Sequence, residues 1–377
     1  MRLFSMLALS ACLAWATWTL PACSGPGNNN SAENTTTDGG TSGDQGTSFQ
    51  ELSADGYTTV SDVISHNKVP QDIGDIEQML AAGSVDWTKL QQLYEKGKHS
   101  VKGDGSIRTL NGFASTPDNF KKYSPEAVAF FKTQGICQLA PVDGFECTEG
   151  KFVDEFVESY AINGKGPFAD ASDKVRGAAV RAGLHVLMGY WVRLEFGKAI
   201  GKAKDNNYDA AKGSPHNWDE AFAFYWGPEG KHSLYALANK LSTDYQLSES
   251  INAGFFKALI DGLKAQVDDK TPPQTHADAG NKQLLRLYIL AALDAAKQLD
   301  AASSDDEKAA ARWLGFGYWL GIGHAISKAD ASAATTFADV FFTKKIDKDA
   351  FAAIKDAVKK SLTGLGMQAS DFGTALQ

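Results

Sequence analysis

The stretch VRGAAVRAGLHVLMGYWVRLEFGKAIGKAK, residues 175–204, decides the fold. Its apolar residues recur at intervals of three and four over its whole length, so it predicts one long helix, Val175–Lys204. The same periodicity continues outward from it. Downstream it marks helices at Ser248–Val267, Lys282–Leu299, Asp306–Ser327 and Asp349–Leu362, with shorter ones at Val60–His66, Ile73–Ala82, Asp86–Lys96, Pro125–Thr133, Phe152–Ala161 and Ser332–Phe341. Alternating β-branched runs are few, and Gly, Pro, Ser and Asp bound the Ala-rich segments. The expected fold class is all-α, a single large helical-bundle domain over residues 50–377. Between Gly97 and Tyr123 the glycines are too dense for a helix, and an ordered loop is expected there.

Composition agrees with a large core. Of 377 residues, 43% are hydrophobic, with 8 Trp, 11 Tyr and 21 Phe, so the chain can fold without a metal or staples. A net charge of −8 without any long Lys/Arg run excludes a phosphate-neutralising nucleic-acid surface. The segment WLGFGYWLGIGHAI, residues 313–326, is apolar enough to suggest a membrane span. The 15 residues between Arg312 and Lys328, which contain it, fall short of the roughly 20 required, so a buried central helix is expected. Gly317 and Gly321, one turn apart, would let a neighbouring helix approach closely.

At the N-terminus, Arg2 precedes an apolar run ending in Leu20-Pro21-Ala22-Cys23, which reads as a signal peptide over residues 1–22. The cysteine after Leu-Pro-Ala resembles the bacterial lipobox, in which that cysteine is lipidated and becomes the first mature residue. With Ser24 following, the resemblance implies an outer-membrane lipoprotein, on the periplasmic side or at the cell surface. Residues 23–49 are poor in apolar side chains and are expected to form a disordered tether with a reach of about 25–30 Å. In that compartment Cys137 and Cys147, ten apart, are expected to form a local disulfide.

No H-E-x-x-H, G-x-S-x-G, Walker or EF-hand pattern occurs. The candidate chemistry is polar residues set into apolar helices. His185, Met188, Val192 and Glu195 fall within about an 80° arc of one helix face, so an imidazole and a carboxylate share a bundle-facing stripe. Core hydrogen bonding of His185 and pairing of Glu195 with Arg193 or Lys198 would explain them without a ligand. The stretch SPHNWDEAFAFYWGP, residues 214–228, reads as a short helix with Pro215 in its first turn and Gly227-Pro228 at its end. Its His216, Asp219 and Glu220 form a patch of hard ligands beside aromatic residues, while Asn217-x-x-Glu220 also reads as a capping box. His324 lies on the stripe of Trp313, Gly317 and Leu320. His66, His99, His232 and His276 sit near predicted ends and read as solvated.

Three segments carry a resemblance. LYEKGKHSVKGDGSIRTLNGFA (residues 93–114), WDEAFAFYWG (218–227) and, with Leu194 inserted between its Arg and Glu, GYWVRLEF (189–196) resemble blocks of the algal iron-assimilation, or low-iron-inducible periplasmic, proteins. The resemblance spans about Ser84 to Ala325. It implies an exported helical protein linked to iron uptake that acts as a binder, not an enzyme. A looser similarity is to the imelysin-type iron-regulated lipoproteins, where Gly183-Leu184-His185 fits the start of a G-x-H-x-x-E motif but Met188 stands at the Glu position. The expectation is therefore a lipid-anchored iron-binding protein, with His185, Glu195, Asp219 and Glu220 as metal ligands and His216 and His324 next. Its partners would be the membrane and uptake machinery. The alternatives are a surface scaffold for a protein or glycan and, more remotely, a peptidase-like hydrolase.

Overall fold

The computed structural model describes residues 49–134 and 149–377; Cys23, Cys137 and Cys147 lie outside the described residues. The folded unit, Ser48–Gln377, begins with a two-stranded antiparallel hairpin, β1 (Ser53–Ala54) and β2 (Tyr57–Thr58). Helices follow: α1 (Ile64–Asn67), α2 (Val69–Ala81), α3 (Trp87–Lys96), α4 (Leu110–Ala114), α5 (Pro117–Tyr123), α6 (Pro125–Gln134) and α7 (Phe152–Asp154). A π-helical stretch, Glu155–Ile162, continues α7. Then come α8 (Asp173–Lys204), α9 (Ser214–Trp226), α10 (Leu234–Asp244), α11 (Ile251–Val267), α12 (Gln274–Ala301), α13 (Asp305–Ala329), α14 (Ala331–Phe341) and α15 (Ala350–Ser361). The all-α expectation holds.

The long helix starts where local chemistry dictates. Ser172 caps α8 by accepting from the Val175 N–H at 3.3 Å. Its 32 residues give a rod about 48 Å long, and buried residues occur all round it because α9, α12 and α13 pack against different sides. α13 is capped by Ser304 and carries Asp305, Asp306 and Glu307 in its first turn, complementing the helix dipole. The apolar segment 313–326 lies in this helix and is buried in the bundle, and among the described residues no helix is long and apolar enough to cross a membrane.

Two glycines set the central spacing. A Cβ on Gly189 would stand 2.0 Å from the Tyr288 hydroxyl, and one on Gly317 would stand 2.5 Å from the Ala182 Cβ. α8 can therefore lie directly against α12 and α13, as the paired glycines of α13 led one to expect.

The segment expected to be a loop is only partly one. Residues 97–109 form a tight hairpin joined by a Val101–Ile107 bridge, with Asp104 Oδ1 accepting from the Ser106 N–H and hydroxyl. From Thr109 onward the chain turns helical, because Thr109 caps α4 by accepting from Gly112 N and Pro117 starts α5. α10 was not anticipated, and α12 begins at Gln274 instead of Lys282, since only Ala277 and Gly280 are buried in its added turns.

Candidate functional site

Asp219 organises the site without pointing into it. Its carboxylate accepts from the Tyr57 hydroxyl (2.6 Å), the Val60 N–H (2.8 Å) and the Ser61 hydroxyl (2.7 Å). One turn along α9, the Ala223 carbonyl accepts from Asn67 Nδ2 at 3.4 Å. Residues 57–67 are thus fastened along α9, and the result is that His66, on α1, lands beside Glu220.

Glu220 is the centre of the cluster. Its Oε1 lies 3.0 Å from His66 Nε2 and 3.1 Å from His216 Nε2. Asn217 Nδ2 donates both to Glu220 Oε2 (2.8 Å) and to Glu195 Oε2 (2.6 Å) on α8, and Lys198 Nζ lies 3.1 Å from Glu195 Oε1. Asn217 thus bridges the two carboxyls. All four of His66, Glu195, Asn217 and Glu220 are buried.

Two buried carboxyls this close do not both ionise easily. Burial and the nearby Glu220 charge push Glu195 well above the usual carboxylate range. Burial also works against the Glu220 charge, but His66 and His216 outweigh it and hold Glu220 low. Burial drives His66 towards its neutral form despite Glu220. The cluster therefore favours the neutral form of Glu195 beside the charged form of Glu220, which faces two imidazole nitrogens. His66 Nδ1, His216 Nδ1 and Asn217 Oδ1 are buried without hydrogen-bond partners.

The cluster forms part of the wall of a cleft of about 500 Å³, lined also by Lys102, Ile107, Arg108, Phe113, Trp191 and Lys198. Gly97, at φ +61°, lets the hairpin leave α3 with the Lys98 and His99 N–H groups on the Asp72 carboxylate. Arg108 Nη1 then reaches the Ser65 hydroxyl (2.8 Å), and the Ser100 hydroxyl the Ser65 carbonyl (2.5 Å), closing the hairpin onto α1. Trp191 stacks between Phe113 and Phe224 at 4.6 and 4.3 Å. The segments 93–114, 189–196 and 218–227, far apart in sequence, thus meet around one cleft.

Of the predicted ligands, His216, Glu195 and Glu220 are brought together. His185 shares the α8 face with Glu195 but stands ten residues away, about 15 Å along the axis. Its Nε2 faces Glu77 at 3.3 Å and its Nδ1 the Tyr318 hydroxyl at 3.1 Å, in a separate cavity of about 320 Å³. His324 lines a third cavity, and Asp219 is fully occupied in holding the N-terminal segment. The Asn217-x-x-Glu220 spacing is no capping box: Gly213 is the N-cap, and the two side chains bond each other. His66, read as solvated, is buried. Nothing local marks it, because its partner lies far along the chain. His99 does lie near the surface, 3.0 Å from Asp75.

Among the described residues no group of three or more His, Cys, Asp or Glu side chains stands ready-made to hold a metal ion. The Glu220 cluster is closed on itself by hydrogen bonds, with its imidazole and carboxyl donors about one hydrogen bond apart.

No curated protein and no solved structure matches the chain. A family model does, and it extends beyond the segments quoted above to include every described residue. Residues 41–377 match the model of the low iron-inducible periplasmic proteins, and the chain belongs to that family.

Proposed function

We propose that this protein binds iron outside the cytoplasm in support of iron uptake, that it acts as a binder and not as an enzyme, and that the Glu220 cluster holds the ion. The carrying observation is the convergence of His66, Glu220 and Glu195 from α1, α9 and α8 on the wall of one cleft, with His216 behind them against Glu220. Two donors about 2.1 Å from one ion at a right angle lie about 3.0 Å apart. The separations of 3.0 and 3.1 Å between Glu220 Oε1 and the two imidazole nitrogens have that size. An ion would replace the protons that now bridge these atoms, with little movement of the side chains. Mixed imidazole and carboxylate donors suit a divalent iron ion, and ionisation of Glu195 on binding would release a proton.

The test is elemental analysis of untagged protein after incubation with ferrous or ferric iron and thorough desalting. Near-stoichiometric iron is expected in the wild type and in His185→Asn, with loss in Glu220→Gln and His66→Gln. Background iron in the wild type for both oxidation states overturns the reading, and retention in Glu220→Gln moves the ion elsewhere. We further propose that Cys23 carries a lipid anchor. Labelled palmitate should appear on the wild type and not on Cys23→Ser.

A further inference from the structure

Behind α8, on the face away from Glu195, a cleft of about 400 Å³ opens between α8, α12, α13 and the turn from α5 into α6. Arg193 is two residues from Glu195, about 200° around the helix, which directs it into this second cleft. Three polar atoms of cleft-lining residues are buried without a hydrogen-bond partner: Arg193 Nε, Asn281 Oδ1 and His324 Nδ1. Buried polar atoms are nearly always partnered, and here three unpartnered ones gather at a single cleft.

Their chemistry specifies what is missing. The Arg193 guanidinium lies 5.3 Å from the centroid of the Tyr190 ring, and among the described residues it has no carboxylate partner. The acid at the rim, Glu126, is taken by Lys328 at 2.9 Å. Arg193 therefore calls for an anion. Asn281 Oδ1 is an acceptor and calls for a hydroxyl or N–H donor. Burial, Arg193 and Lys328 together push His324 down to about 3, so its neutral ring can serve as donor or acceptor. Phe196, Ile200, Leu285 and Tyr123 supply apolar wall. A single water cannot fill such a volume or neutralise a guanidinium.

We propose that this cleft binds a small hydroxycarboxylic acid with an apolar body: the carboxylate on Arg193, the hydroxyl on Asn281 and His324, and the body along Phe196, Ile200 and Leu285. The site is independent of the Glu220 cluster, with which its cleft shares no lining residue.

The test is calorimetric titration of the full protein, shown by elemental analysis to be free of metal, with three probes. Mandelate carries all three features, mandelamide lacks the charge and phenylacetate lacks the hydroxyl. Saturable mandelate binding is expected, weakened about tenfold or more for mandelamide and severalfold for phenylacetate. Arg193→Gln should weaken mandelate binding about tenfold, with Arg193→Lys in between. Asn281→Leu, which keeps the charge, should abolish the preference for mandelate over phenylacetate, and it serves if Arg193→Gln does not fold by circular dichroism. Absence of saturable mandelate binding in the millimolar range, or equal affinity for mandelate and mandelamide, overturns the proposal. Equal affinity of the wild type for mandelate and phenylacetate overturns the assignment of the hydroxyl.

Discussion

At the scale of single residues, the two carboxyls of the cluster differ in what they hold. Burial and the Glu220 charge favour the neutral form of Glu195, so Glu195→Gln replaces one neutral acceptor and donor with another of the same shape. Its cost in urea denaturation should stay below about 1 kcal/mol. Glu220→Gln removes the charge that accepts from His66 and His216 and should cost about 2–4 kcal/mol. Asp219 lies next to Glu220 in sequence but does a different job. Asp219→Ala leaves the Tyr57 and Ser61 hydroxyls and the Val60 N–H without their acceptor and should cost about 3 kcal/mol or more. Because those bonds also position His66, the same variant should weaken iron retention at the proposed site although Asp219 does not face it.

At the scale of elements, α8 carries both the packing and the chemistry. Gly189→Ala would drive a methyl group onto the Tyr288 hydroxyl, which itself donates to the His185 carbonyl at 2.8 Å. Overpacking of this kind should lower stability by about 1–3 kcal/mol in thermal or denaturant melts. The long helices were legible in the sequence because their burial is periodic and their ends carry caps such as Ser172 and Ser304. α10 escaped because Leu234, Ala238 and Leu241 give it only a narrow buried stripe. The site was half legible. Glu195, His216 and Glu220 stand out as polar residues within apolar helices. His66 does not, since its burial comes from a hairpin and four-residue helix fastened to α9 by Asp219. His185 and Glu195 show the opposite error: angular periodicity puts them on one face but says nothing of their separation along the axis.

For the whole molecule, the buried ionisable groups act on stability in opposing directions. Burial raises Asp219 to about 6, so its contribution is full below the unfolded value near 4 and is lost as pH rises through about 6. His324, lowered to about 3, works the other way. Its contribution is full above the unfolded value near 6.5 and is lost as pH falls towards 3. Across pH 4–6 the two slopes offset each other. Asp219→Asn should therefore make stability rise more steeply with pH across that interval, and His324→Asn should tilt the curve in the opposite sense. Denaturant titrations at several pH values check this by slope, which is independent of what each substitution costs at neutral pH. Parallel curves for both variants and wild type would refute it.

Trp191, held between Phe113 and Phe224 on the wall of the cleft that also contains Glu195 and Glu220, has an optical consequence. A paramagnetic ion bound at the proposed site would quench the emission of this rigid indole, giving the protein its own fluorescent gauge of occupancy. Of the eight tryptophans, Trp191 should supply most of the iron-dependent quenching, and Trp191→Phe should leave binding intact while the signal goes dark.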